Sequence, residues 1–397
     1  MEKDFFGECL FLAENGCIFV VSFLDMDIMK TIFDVNAHMH TPYSFSAFTD
    51  VCQALDMAAS EGVKVVGIND FYSMDGYREW NDECIKRNLF PLFNIEFISL
   101  WQDAQREGLR INDPNNPGRT YLSGKGLAFP VTLSGREAEQ LAAVKAESNL
   151  QVARMCEKLN ALLDAHKAGF RLDFDELVRT LTRGSLRERH LAKALRLAVE
   201  AKFCGDSALM AQFLEDLCGK PLKSDPANAA ALENELRGNL LKAGGAAFVP
   251  EDPKAFLPME TVCHIIEAAG GIPTYPFLAD DAKGCFTDFE GDLMRAADTL
   301  KRLGIHSVEF ITTRNTTAVL EQYAGWLEDE GFVVTFGSEH NTPALEPIRL
   351  RTRDHAEGLS ERLRAINWRG ACLVAAHQAG KSTAEEGEEI ILNTIEK

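Results

Sequence analysis

From residue 32 onward, short apolar runs alternate with stretches of helical spacing. Ile32, Phe33 and Val35 lead into His38-Met-His40 and a Thr/Pro/Ser turn. A strand ending this way puts both imidazoles on one face, because strand side chains repeat every two residues. The spacing over 49–60 predicts a helix with Thr49 as N-cap. Val63–Ile68 is a β-branched run typical of a buried parallel strand, and it delivers Asn69-Asp70-Phe71 at its C-terminal end. A second helix over 76–87 leads to the strand Phe90–Ile98, with Glu96 alone among apolar residues. Such a glutamate is costly to bury unless something pairs with it, and a metal would. This β-α-β-α-β rhythm, with polar groups at strand ends, is how (β/α) barrels build sites.

Residues 101–130 are polar and turn-rich, with a returning strand at Arg119–Leu122. From 131 to 244 the pattern changes to helical stripes, beginning with Leu141, Val144, Val152, Met155 and Leu159. That block reads as a helical domain inserted into an α/β chain. The α/β rhythm then resumes. Helices are expected over 259–269, 288–303 (Thr287 as N-cap) and 322–330, and strands at 272–276, 307–311 and 332–336. A short helix near 360–366, a strand at Ala371–Ala375 and an acidic surface helix from Glu385 complete the pattern. The organisation expected is an N-terminal extension (1–30, a hairpin or a start-site artefact), a barrel in two parts (31–130 and 245–397), and the insertion at 131–244.

Charge narrows the function classes. With 41 Lys and Arg against 60 Asp and Glu, the net charge is −19. This argues against a nucleic-acid or anionic-membrane binder, while a locally basic pocket for a phosphorylated small molecule stays open. The ten cysteines show no C-x-x-C pair, which fits reduced thiols in a cytoplasm. The start is acidic and no apolar run is long enough to span a bilayer, so neither a signal peptide nor a membrane segment is expected.

Two neutral imidazoles close together at a strand end are a natural ligand pair for a divalent transition metal. Around them the motifs have a family look. His38-Met-His40-Thr-Pro-Tyr-Ser44, Asn69-Asp70-Phe71, Asn94-Ile-Glu96, Arg189-His-Leu-Ala-Lys-Ala-Leu195, Gly270-Gly-Ile-Pro-Thr-Tyr-Pro276 and Gly337-Ser-Glu-His-Asn341 follow one another in order. Together they resemble the motifs of the PHP (polymerase and histidinol phosphatase) family in its phosphoesterase branch. The resemblance runs from about residue 32 to at least 345. It implies a distorted (β/α)7 barrel with a helical insertion and a metal centre that hydrolyses phosphate esters.

The departures from that family pattern thin the metal centre. Phe71, Tyr275 and Asn341 stand where the family has histidines, Thr120 or Tyr121 stands for another, and Glu339 replaces an aspartate. Phe binds no metal, and neutral Tyr and Asn are poor substitutes for imidazole. The resemblance therefore implies one divalent ion per chain (Zn, Mn or Fe) on His38, His40, Glu96 and Glu339, with Asp70 or His340 as general base. Basic residues near strand ends and on the insertion, namely Arg119, Lys125, Arg189, His190 and Arg314, are candidates to hold the phosphate of a small substrate. Two readings stay open: a mononuclear metal-dependent phosphoesterase, or a weakened relative that binds a ligand or partner.

Overall fold

The computed structural model describes residues 31–396; the N-terminal extension expected at 1–30 lies outside them. Strands β1 (Asp34–Met39), β2 (Val63–Phe71) and β3 (Phe90–Leu100) alternate with helices α1 (Val51–Ser60) and α2 (Tyr77–Ile85). A short helix α3 (Gln102–Glu107), which the turn-rich composition of 101–130 concealed, precedes β4 (Arg119–Lys125). Helices α4 (Gly135–Ala165), α5 (Phe174–Leu181), α6 (Glu188–Lys202), α7 (Ser207–Cys218) and α8 (Ala229–Leu236) follow without an intervening strand. The short β5 (Leu257–Pro258), α9 (Met259–Ala268), β6 (Ile272–Phe277), α10 (Leu293–Arg302), β7 (Ser307–Ile311), α11 (Thr317–Asp329) and β8 (Val333–Gly337) restore the alternation. Helices α12 (Glu361–Gln378) and α13 (Ala384–Ile395) end the described chain.

The strands pair in the order β1-β2-β3-β4-β6-β7-β8, with β5 off the path beside β3. All pairs on that path are parallel except those of β4, which runs antiparallel to both β3 and β6. Backbone contacts join the two ends: His40 donates to the Glu339 carbonyl at 2.8 Å, and Glu339 donates to the His38 carbonyl at 3.0 Å. The result is a mixed α/β fold whose sheet curls into a nearly closed seven-strand barrel. Large apolar side chains such as Ile68, Phe97, Phe310 and Phe336 pack under the surrounding helices. A separate cluster, including Leu159, Leu195, Leu214 and Leu236, forms the core of the helical block.

Three sequence expectations are corrected here. Ala371–Ala375 is the buried centre of α12, not a strand. A fully apolar run carries no periodicity, and burial of Trp368, Ala371 and Val374 against Val65, Leu92 and Val333 settles it as helix. The helix expected from Asp288 begins at Leu293, capped by Asp292, whose side chain accepts from the Arg295 N–H. Similarly, Asp50 rather than Thr49 caps α1.

Closure of the barrel depends on close approach at Gly337. A Cβ there would lie 2.2 Å from His38 Cβ. Gly337→Ala is therefore expected to push β8 off β1 and cost about 1–3 kcal/mol. An unchanged urea midpoint would contradict this seam.

Candidate metal centre

The carboxyl ends of the parallel strands place the polar groups. His38 lies near the end of β1 and His40 directly after it, and Glu96 lies in β3, all three essentially buried. Their nearest ligand atoms lie within 4.8 Å of one another. His38 Nε2 is 3.4 Å from His40 Nε2, and Glu96 Oε2 is 3.1 Å and 3.7 Å from the same two nitrogens. Ligand atoms held at 2.0–2.2 Å around one tetrahedral ion are separated by roughly 3.3–3.6 Å. The three atoms thus match one face of such a polyhedron, and Glu96 among them lines the cavity above. The Asn69 amide rests on the His38 ring, 2.9 Å from Nε2.

Each imidazole is tied back through its other nitrogen. His38 Nδ1 is 2.9 Å from Glu309 Oε2; an ionised carboxylate only accepts, so Nδ1 carries the proton. His40 Nδ1 is 3.2 Å from Ser44 Oγ, which itself donates to Asp70 Oδ1 at 2.5 Å. The serine oxygen is left to accept from His40. In the neutral rings both Nε2 lone pairs are thereby presented to one point, the arrangement that outer partners impose on ligating histidines. Glu96 Oε2 is buried without a hydrogen-bond donor. An orphaned carboxylate oxygen between two Nε2 atoms fits a bound cation.

The Glu309 charge is compensated deep inside the barrel. Lys125 Nζ lies 2.5 Å from Glu309 Oε2 and donates to the Ala37 carbonyl at 3.1 Å, while Ser123 Oγ donates to Glu309 Oε1. Lys125 was expected at the mouth as a phosphate contact; it is fully buried. Because β4 is antiparallel, its C-terminal end points away from the mouth, and its start, Arg119, lies at the mouth instead. Glu309 itself was not singled out, although it shows the signal that marked Glu96: one glutamate in an apolar strand.

Other candidate residues are placed as follows. Glu339 is not brought into the three-residue cluster. It leaves β8 at φ 65°, its backbone seals the barrel, and its carboxylate meets Arg314 at 2.7 Å and the Asn341 amide at 2.9 Å. Asp70 has its oxygens occupied by the Thr41 N–H at 2.7 Å, Thr41 Oγ1 at 2.5 Å and Ser44. Burial pushes its carboxyl above the usual range despite these donors. It anchors the loop after β1 instead of facing the cavity. His340 is equally engaged, with Ser338 Oγ at 2.7 Å, the Glu346 carbonyl at 2.8 Å and the Phe48 ring stacked on it. Tyr275 faces the outer core and donates to the buried Glu290 at 2.7 Å. Phe71 stacks on His40 with centroids 5.0 Å apart, filling one wall beside the ligands.

A cavity of about 870 Å³ opens over the cluster, between the barrel mouth and the helical block. Its lining brings eight Lys and Arg side chains against six carboxylates, the reverse of the balance of the chain. Arg119 pairs with Glu251 at 2.7 Å and Arg314 with Glu339. His190 accepts from the Arg187 N–H at 2.9 Å, capping its own helix, and burial lowers its pKa to about 3. Arg189 lies over the Phe45 ring and donates to Asn234 at 3.2 Å. Burial and neighbouring Arg237 lower its pKa to about 10, which leaves it a cation. Arg187, which sequence reasoning missed, lies over Phe71 at 4.9 Å.

Comparisons with known proteins agree with the architecture. No family model matches the chain, and no curated protein does. Among solved structures, it is similar to a protein from Bifidobacterium adolescentis provisionally assigned as a metal-dependent phosphoesterase, with a TM-score of 0.51 and 16% identity over 84% of this chain and 94% of that one. It is also similar to an amidohydrolase from Chromobacterium violaceum with bound sulfate and no metal (TM-score 0.49, 17% identity, 83% of this chain and 93% of that one). The first of these likenesses supports the fold, a nearly closed α/β barrel. Among the described residues, no helix is long and apolar enough to cross a membrane.

Two predictions test the cluster. Ser44→Ala, which cuts the link from His40 to Asp70, is expected to weaken metal binding about 10–100-fold in a chelator competition; unchanged affinity would show that Asp70 does not act through His40. Metal uptake is also expected to release a proton. Burial alone would lower the His38 pKa, but Glu309 and Glu96 outweigh it and raise it to about 9. A metal requires the neutral ring, so below pH 9 affinity should fall about tenfold per unit as pH drops. Calorimetric titrations at pH 6, 7 and 8 measure the slope, and a flat profile contradicts it.

Proposed function

We propose that this chain is a metal-dependent phosphoric ester hydrolase built on a PHP-type barrel. The observation that carries this reading is the pair of imidazoles locked with Nε2 toward the unpartnered Glu96 Oε2. His38, His40 and Glu96 would hold one divalent ion, with zinc, manganese and iron all suited to two imidazoles and a carboxylate. Such an ion supplies Lewis-acid activation of a water molecule and polarises a phosphoryl oxygen.

The chain's own residues do the rest. Glu309 and Ser44 fix the ring orientations, and Asp70 holds the turn that carries Ser44. Arg189 offers a guanidinium to a substrate phosphate, while Arg119 and Arg314 line the cavity farther out in their ion pairs. The helical block, 131–244, is an inserted domain that roofs the cavity and excludes water from it. The substrate is a small phosphorylated molecule handled in the cytoplasm. The second reading, a barrel kept for binding alone, is favoured by one feature: Phe71 presents a non-ligating ring to the cluster.

His40→Ala is expected to abolish tight metal binding and turnover of a generic phosphate ester, whereas His264→Ala, on the exposed face of α9, should leave both intact. Elemental analysis of the purified chain with added manganese or zinc checks the first point and an ester assay the second. No retained metal and no turnover would replace the hydrolase with the binding reading.

A further inference from the structure

Arg187 shares with Arg189 a lack that sets these two apart from the other six cations around the cavity. Arg119, Arg237, Lys242, Arg314, Arg351 and Arg353 each meet a carboxylate within 4 Å. Among the described residues, Arg187 meets none, and of its five N–H groups one is used, donating to Ser148 Oγ at 3.2 Å. Its position is nevertheless fixed. It is the N-cap of α6, its backbone N–H held by His190 Nδ1. The segment just before it is pinned to α4, because the Asn149 side chain accepts from the Leu186 N–H at 2.9 Å and donates to the Gly184 carbonyl at 3.1 Å. The guanidinium itself lies over Phe71, whose ring also stacks on the candidate ligand His40.

Charge defines what this guanidinium faces. Within the buried cluster Lys125 offsets Glu309, so Glu96 supplies the remaining negative charge. A divalent ion there, with Arg187 and Arg189 beside it, leaves about three positive charges facing one cavity. Half-buried cations in that arrangement repel one another until an anion lies between them. A dianion offsets more of this charge than a monoanion, which favours phosphate monoesters over diesters.

We propose that Arg187 is a catalytic residue: a fixed guanidinium that grips the non-bridging oxygens of the reacting phosphoryl group and stabilises charge that would otherwise call for a second cation. This deepens the hydrolase reading and rests on it. In the step, an O–P bond forms from water and the ester P–O bond breaks. The water proton passes to the leaving oxygen or to solvent, giving an alcohol and inorganic phosphate. Arg187 binds throughout and keeps its own protons, as expected of a group with so high a pKa. Phe71 takes part as the platform that holds the guanidinium against the ligand cluster.

The test is Arg187→Ala, with Arg171→Ala, whose exposed side chain pairs with Asp164, as control. Arg187→Ala should retain its metal, lose about 10²–10³ in kcat on a phosphate monoester and change KM much less. Free guanidinium at millimolar concentration should restore part of the rate to Arg187→Ala and none to the control. Arg187→Lys should fall between, since an ammonium cannot make the two-pronged contact. Full kcat in Arg187→Ala, or a loss that guanidinium does not rescue, overturns the catalytic role. Calorimetry with inorganic phosphate and metal-free protein separates this from failure of the hydrolase reading. Binding weakened by Arg187→Ala and untouched by Arg171→Ala supports the anion seat even in a chain without turnover, and equal binding in all three removes it.

Discussion

The buried carboxylate of Glu309 is the point on which the interior depends. Three donors converge on it: the Lys125 ammonium, the Ser123 hydroxyl and the His38 Nδ1–H. An unpaired charge at that depth would cost several kcal/mol, and removing one partner of such a pair typically costs about 3–5 kcal/mol. The same carboxylate that offsets Lys125 also sets the tautomer of His38. Stability of the barrel interior and orientation of a candidate ligand are therefore one interaction. Holding β4, β7 and β1 in register around Glu309 leaves His38 little freedom to point elsewhere.

The antiparallel strand makes this arrangement available. In a fully parallel barrel, the residues at strand C-termini would all lie at the mouth. Reversal of β4 sends Lys125 down into the lumen beside Asn69 and Glu309, and brings Arg119 up toward Glu251. At the other seam, consecutive left-handed residues, Glu339 and His340, turn the chain sharply after β8. Their backbone closes the barrel onto β1, and their side chains are directed to Arg314 and Glu346. Geometry at the seam thus keeps Glu339 out of the cluster and leaves His38, His40 and Glu96 as a three-residue group compatible with a metal site.

A strongly acidic chain carrying a locally basic cavity has consequences for what can enter. The net charge of −19 repels polyanions at long range, while the arginines are recessed between barrel and helical block. Phe71 fits the same logic. Where an imidazole would extend the cluster, a phenyl ring instead stacks on His40 and seats a guanidinium, so positive charge is kept beside the site by different chemistry.

Much of this was legible in the sequence. The β-α alternation, the helical block, His38-x-His40 and the isolated Glu96 follow from local spacing, and local spacing decides strand faces and helix stripes. The run at Ala371–Ala375 was misread because an apolar segment buried on all sides carries no period. Other features depended on strand direction and on contacts between distant segments. The depth of Lys125 follows from β4 running backwards, and Glu339 turns to Arg314 because the seam twists its backbone. Asp70 serves Ser44 and Thr41 because the turn after β1 folds over β2. That Arg187 meets no carboxylate among the described residues emerges only when α6 is set over the barrel mouth. Sequence by itself determined which residue types were available for chemistry; tertiary structure decided which of them face each other, because pairing of charges and donors across the barrel is fixed by topology and not by neighbours along the chain.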